Sequence, residues 1–131
     1  MKGFVEDIEE IAEDNSQFRH VLYTGKHLQL VVMALKPGEE IGEEVHPDRD
    51  QFFRIEKGKG KVEIDGGVHK VEADDAIVVP AGAHHNLINT GKKMLKLYTL
   101  YGPPNHVDKL SQKTKAEADA SKERFEGVTT E

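Results

Sequence analysis

Cysteine is absent from this chain of 131 residues, which rules out disulfides and thiolate metal sites without fixing a compartment. A basic patch is missing too. With a formal net charge of -6 and no cluster of Lys and Arg, the chain lacks what phosphate-rich partners need, so no nucleic acid is expected. No run approaches the roughly 20 apolar residues of a membrane helix, and the opening MKGFVEDIEEIAED turns acidic without an apolar stretch. The expectation is a cytoplasmic protein with no membrane partner. Neither a P-loop nor a G-x-S-x-G nucleophile elbow occurs. Ser16, Ser111 and Ser121, the only serines, lie in the terminal segments and argue against a serine hydrolase. The run Gly58-Lys59-Gly60-Lys61 joins two expected strands and opens no helix, so the helix N-terminus that would hold a phosphate is lacking.

What is present describes a soluble globular protein: 37% hydrophobic and 32% charged residues in a length that suits one domain, residues 1–131. From Phe4 to about Asp14, apolar residues recur at three- and four-residue steps between acids, which predicts a short amphipathic helix. From about His20 to Tyr101 short strand-like runs alternate with turn signals: HVLYT, HLQLVVMAL, a piece at Glu44 to His46, QFFRI, KVEID, VHKVE, AIVVP, HNLIN and MLKLYTLY. This rhythm predicts an all-β sandwich or barrel. Gly66-Gly67 after Asp65 marks a tight hairpin. Beyond Gly102-Pro103-Pro104 the chain becomes highly charged. There Ala116, Ala120 and Phe125 offer a thin apolar stripe, and a helix from Lys113 to Phe125 over the domain is expected.

Two stretches carry the chemistry. In the first, Gly38, Glu44, His46, Gln51 and Gly58 are spaced as G-x5-H-x-H-x4-E-x6-G; in the second, Asp74, Pro80, Gly82, His85 and Asn89 are spaced as G-x5-P-x-G-x2-H-x3-N. These strings resemble the paired motifs of the cupin superfamily over roughly residues 28–104, with Glu44, Gln51 and Asp74 departing from the pattern. Small bacterial proteins with similar strings are likened to the cupin part of mannose-6-phosphate isomerases. The resemblance implies a double-stranded β-helix, a jelly-roll-like barrel with short flanking helices, and often a homodimer formed by edge strands. HLQLVVMAL is the run expected to serve that pairing.

It also implies a divalent metal, Zn, Mn, Fe or Ni, held by Glu44, His46, Gln51 and His85, with Glu44 doubling as a catalytic base. Alternation along a strand puts Glu44 and His46 on one face, Gln51 with Phe53 and Ile55, and His85 with Leu87 and Asn89, leaving His84 outward. The usual three histidines and one glutamate around a divalent ion carry a net charge of +1. Glu44, two neutral histidines and Gln51 give the same sum, because the carboxylate has moved from the last position to the first. A neutral amide is the weaker donor, so weaker binding than in the usual set is expected. The alternative role for Gln51 is a hydrogen bond to His46 or to a ligand water.

Gly38, Gly58 and Gly82 are expected in turns, Pro80 at a strand start, and Asp74 in a turn that its side chain tolerates. His20, His27, His69, His84 and His106 match no motif position and are expected at the surface. Three functions follow: a metal-binding protein acting on a small molecule, isomerase- or epimerase-like; an iron-dependent dioxygenase, since two histidines and a carboxylate are the ligand types of a facial triad; or a non-enzymatic ligand-binding or storage module.

Overall fold

The computed structural model describes residues 2–131. Helix α1 (Ile8–Asp14) leads into strands β1 (Arg19–Thr24), β2 (Gln29–Leu35), β3 (Asp50–Lys57), β4 (Lys59–Ile64), β5 (Gly67–Glu72), β6 (Ala76–Val79), β7 (His85–Asn89), β8 (Leu95–Gly102) and β9 (Ser111–Gln112), and α2 (Lys115–Ala120) follows. Every strand pairing is antiparallel. Six strands form one sheet in the order β6-β3-β8-β2-β1-β9, and three form a second, β5-β4-β7. The all-β expectation is met, with one refinement: the two sheets do not close into a continuous barrel.

The inward faces follow strict alternation, and they are not uniform. On β8 the buried residues are Leu95, Leu97, Thr99 and Tyr101; on β3 they are Gln51, Phe53 and Ile55. Antiparallel register sets Ile55 against Leu97, Phe53 against Thr99 and Gln51 against Tyr101. One end of the interior is therefore apolar, where Met33, Leu35, Ile55, Leu95 and Leu97 are fully buried, each worth about 1.5–3 kcal/mol. The other end holds polar side chains.

Strand β2 is buried on both faces, Val31, Met33 and Leu35 inward and Val32 and Ala34 outward, because α1 packs across the outer face of β2, β3 and β8. This explains why QLVVMAL is a continuous apolar run. It also corrects the expected dimer strand: β2 is paired along one side with β1 and along the other with β8, so its backbone groups are spent within the chain.

The N-terminal helix is shorter than expected. Asp7 adopts an extended backbone and its carboxylate accepts from Glu10 N (3.1 Å), so the helix starts at Ile8. Phe4 instead lies against Tyr23, ring centroids 6.4 Å apart. At the other end, α2 covers only Lys115–Ala120, with Ala118 facing the core while Ala116 and Ala120 are exposed. Phe125 lies beyond it, outside any helix or strand, and its N–H donates to Asn105 O (3.0 Å). Among the described residues no helix is long and apolar enough to cross a membrane.

Turn chemistry agrees with the sequence except at Pro80, which follows the end of β6 instead of starting a strand. Asp65 and Gly66 both take positive φ, 46° and 83°, as a type I′ hairpin between β4 and β5 requires. Asp74 sits at φ 76°, a conformation Asp tolerates better than most residues. Gly60 answers a different constraint, because a Cβ there would stand 2.5 Å from Ile88 O on the paired strand β7. Replacement Gly60→Ala is expected to cost about 1–3 kcal/mol through this overpacking, read as a lower denaturant midpoint at unchanged slope.

Candidate metal centre

Residues 38–46 form no regular strand, yet they run antiparallel along β7. Gly38 N donates to Asn89 O (3.0 Å), Ile41 N to Leu87 O (2.9 Å), and Glu44 and His85 exchange both backbone hydrogen bonds at 2.9 Å. Where a short strand at Glu44 to His46 was expected, the pairing is a single bridge at Glu44. A further attachment lies at Gly82, whose N–H donates to His46 O (2.9 Å). Backbone pairing thus delivers Glu44 and His46 to His85, and β3 brings Gln51 from the opposite sheet.

The four expected residues converge. One ligand atom from each of Glu44, His46 and His85 lies within 4.8 Å of the others. His46 Nε2 is 2.9 Å from Glu44 Oε2, and His85 Nε2 is 3.1 Å from Gln51 Oε1. The imidazoles lie 5.4 Å apart, centroid to centroid. His85 and Gln51 are buried, whereas Glu44 and His46 keep 29% and 13% of their side chains exposed, so the site opens to solvent on their side.

Orientation is set by neighbouring hydrogen bonds. His85 Nδ1–H donates to Ala83 O (3.1 Å), which leaves the Nε2 lone pair facing the site. Gln51 Nε2 donates to Thr99 Oγ1 (3.0 Å), and Thr99 donates in turn to Phe52 O (2.8 Å). The amide oxygen is thereby turned toward His85. Two lone pairs facing one another across 3.1 Å repel unless a cation or proton lies between them. A carboxylate, two imidazole nitrogens and an amide oxygen suit a divalent ion of the Mn to Zn series.

Charge supports the same use. Burial pushes the Glu44 carboxyl up, but the hydrogen bond from His46 and the positive charge of Arg19 outweigh it and hold it below its ordinary value. Glu44 is consequently ionised at neutral pH, while its acidic neighbours Glu40 and Glu43 are exposed.

Several residues that shape this end of the interior were not singled out from the sequence. Thr99 and Tyr101 are polar members of the otherwise apolar alternating face of MLKLYTLY, a signal that was there to be read. The expectation for His106 was wrong, since it is buried rather than at the surface. Its ring meets Tyr101 edge-on at 5.0 Å, its Nδ1–H donates to Glu123 Oε2 (2.8 Å), and its Nε2 faces the Tyr101 hydroxyl at 3.2 Å. Tyr101 in turn lies edge-on to His46, centroids 5.8 Å apart. Burial pushes the Tyr101 phenol up, so it stays protonated and can donate to His106. The charged C-terminal segment is thus packed against this end of the domain. Contacts so far apart in sequence leave no local pattern.

A surface cleft of about 590 Å³, lined by Lys59, Lys61, Lys70, Glu72 and Asp75 among others, lies along β4 and β5. No set of convergent metal donors is found there among the described residues, and the candidate site is assigned to the Glu44 cluster.

The comparisons with known proteins agree with this geometry. The family model for the cupin domain matches residues 31–101. An uncharacterised Bacillus subtilis protein, YrkC, is 47% identical over 128 residues, covering 93% of this chain and 69% of its own. The crystal structure of BH2720 from Bacillus halodurans superposes with a TM-score of 0.90 at 43% identity, covering 92% of this chain and 96% of that one. A more distant match is to the mannose-1-phosphate guanylyltransferase of Salmonella montevideo, 34% identical over 73 residues, which span 56% of this chain but only 16% of the enzyme.

Two outcomes follow. Thr99→Val removes the acceptor that holds the Gln51 amide, and metal affinity is expected to fall about 10-fold or more, measured by chelator competition on folded protein. The second concerns pH. Burial holds His106 below the ordinary imidazole value of 6.5, and although burial raises Glu123, the His106 hydrogen bond outweighs it and holds the carboxyl below 4.5. Both values are depressed on folding, so the unfolded chain takes up protons first. The stability they contribute is full above pH 6.5 and declines as pH falls, first through His106 and then through Glu123. Denaturant midpoints measured downward from about pH 6.5 should decline, and His106→Gln should flatten the upper part of that decline.

Proposed function

This chain belongs to the cupin domain family, and from that premise we propose that it binds a divalent metal through Glu44, His46, His85 and Gln51 and uses it to bind or transform a small oxygen-bearing molecule. The convergence of the donor atoms of Glu44, His46 and His85 within 4.8 Å is the observation that carries the reading. A divalent ion at this site would supply Lewis acidity toward an oxygen of the bound molecule.

The chain's own residues supply the rest. Glu44 is ionised and partly open to solvent, so it can accept a proton from a molecule entering on that side. His85 is fixed in orientation by Ala83 O, and Gln51 by Thr99. Such an arrangement suits isomerisation or epimerisation, in which a proton leaves and returns without a change in oxidation state. A cytoplasmic setting is part of this proposal. The second reading, an iron-dependent oxygenase, is favoured by one observation: two histidines and one carboxylate lie together, as in a facial triad.

Elemental analysis of protein purified without a tag or chelator is the direct test, beside the double variant His46→Ala, His85→Ala. About one ion per chain, lost in the variant, is the expected result. A folded native protein that takes up no Mn, Fe, Ni or Zn would overturn it. Oxygen uptake by the Fe(II)-loaded protein would favour the oxygenase reading over the isomerase-like one.

A further inference from the structure

Hydrogen bonds to the scaffold fix two of the four site residues, His85 through Ala83 O and Gln51 through Thr99. The His46 ring has no such tie. Its one side-chain hydrogen bond among the described residues joins Nε2 to Glu44 Oε2, and a cation held by both atoms would take the place of that bond. Ring packing is what remains to orient this imidazole. Beside the His85 ring, the ring set against it is Tyr101, with centroids 5.8 Å apart and planes at 86°. Tyr101 is 1% exposed. It stands on the inward face directly opposite Gln51 in the pairing of β8 with β3.

Tyr101 is itself held from behind. Its hydroxyl donates to His106 Nε2 (3.2 Å), the two rings meet edge-on with centroids 5.0 Å apart, and His106 Nδ1–H donates to Glu123 Oε2 (2.8 Å). The second oxygen of Glu123 accepts from Val107 N (2.7 Å). The backbone N–H and carbonyl of His106 both bond to the Gln29 amide, at 2.9 and 2.8 Å. Each polar group in this row has a partner, and the last one lies in the C-terminal segment. Edge-on aromatic contacts depend on ring direction, so a phenol pinned at its hydroxyl fixes the surface on which His46 leans. We propose that Tyr101 is the positioning residue of His46 and that Glu123, acting through His106, sets its direction, so that the C-terminal segment tunes the affinity of the metal site. This rests on the metal-site reading and adds the residues that hold the less anchored of its two imidazoles.

The test takes two readings on the full chain: the ring-proton NMR resonances of His46 and His85 without metal, and Zn(II) affinity by chelator competition. Tyr101→Phe removes the hydroxyl and keeps the ring, while Glu123→Ala removes the far end of the row. Thr130→Val is the control, loosening the same segment at a separate anchor, where Thr130 Oγ1 accepts from Thr24 N (2.7 Å) and donates to Asp108 Oδ1 (2.9 Å). Tyr101→Phe and Glu123→Ala are each expected to move the His46 resonances, to leave those of His85 in place, and to weaken Zn(II) binding about 10-fold. The double variant should lose no more than either single one, because both act through one contact. Thr130→Val should change neither reading. Unchanged His46 resonances and affinity in both variants, or an equal effect of Thr130→Val, would overturn the proposal. A His46 shift at unchanged affinity overturns the tuning and leaves the positioning. A native protein that takes up no Mn, Fe, Ni or Zn overturns the metal reading instead; a shift confined to His46 then still upholds the positioning, and its absence overturns that too. If Tyr101→Phe does not fold, Glu123→Ala decides on the same two readings.

Discussion

The backbone pairing between residues 38–46 and β7 is the constraint on which the site depends. Glu44 and His85 lie 41 positions apart, yet they exchange two main-chain hydrogen bonds of 2.9 Å. Antiparallel pairing holds directly opposed residues at about 4.5–5.5 Å between Cα atoms, which leaves two side chains on one face no choice but to meet. A segment with little regular structure of its own is thereby held as firmly as a strand where it matters. His46 is tied separately, through its carbonyl to Gly82.

The interior is built with a polarity gradient along its strands. Alternation alone makes Gln51, Phe53 and Ile55 face the same way, as it does Leu95, Leu97, Thr99 and Tyr101. Hydrophobic burial at one end secures the two sheets against each other and lets the other end carry polar groups that would not support a core. Those groups mostly satisfy one another: Gln51 through Thr99, Tyr101 through His106, and His106 through Glu123. Arg19 is the exception, with a buried Nε left without a partner.

The C-terminal segment has a place in this arrangement that its composition concealed. Glu123 and Gln112 look like ordinary polar residues of a charged tail. They are nevertheless the hydrogen-bond partners of His106 and Arg19. The tail therefore completes the polar end of the domain, while α2 contributes only one half-buried alanine, Ala118, to the core.

Local order determined what the sequence could show by itself. Strand positions, the Asp65-Gly66 turn, the tolerance of Asp74 for positive φ, and the inward direction of Gln51 and His85 all follow from period-two alternation and backbone sterics, which act between near neighbours. The spacing of the two motifs also pointed to Glu44, His46, Gln51 and His85, which the fold brings together as the candidate site. Tertiary structure decided the rest, because the deciding contacts join distant segments. It placed β2 between two partners instead of at an edge, left the sheets unclosed, shortened both helices, and buried His106. It also turned Arg19 inward without a counter-ion. A chain read in order shows which residues repeat on one face, but the partner that satisfies a buried charge or donor is chosen only when folding brings the segments together.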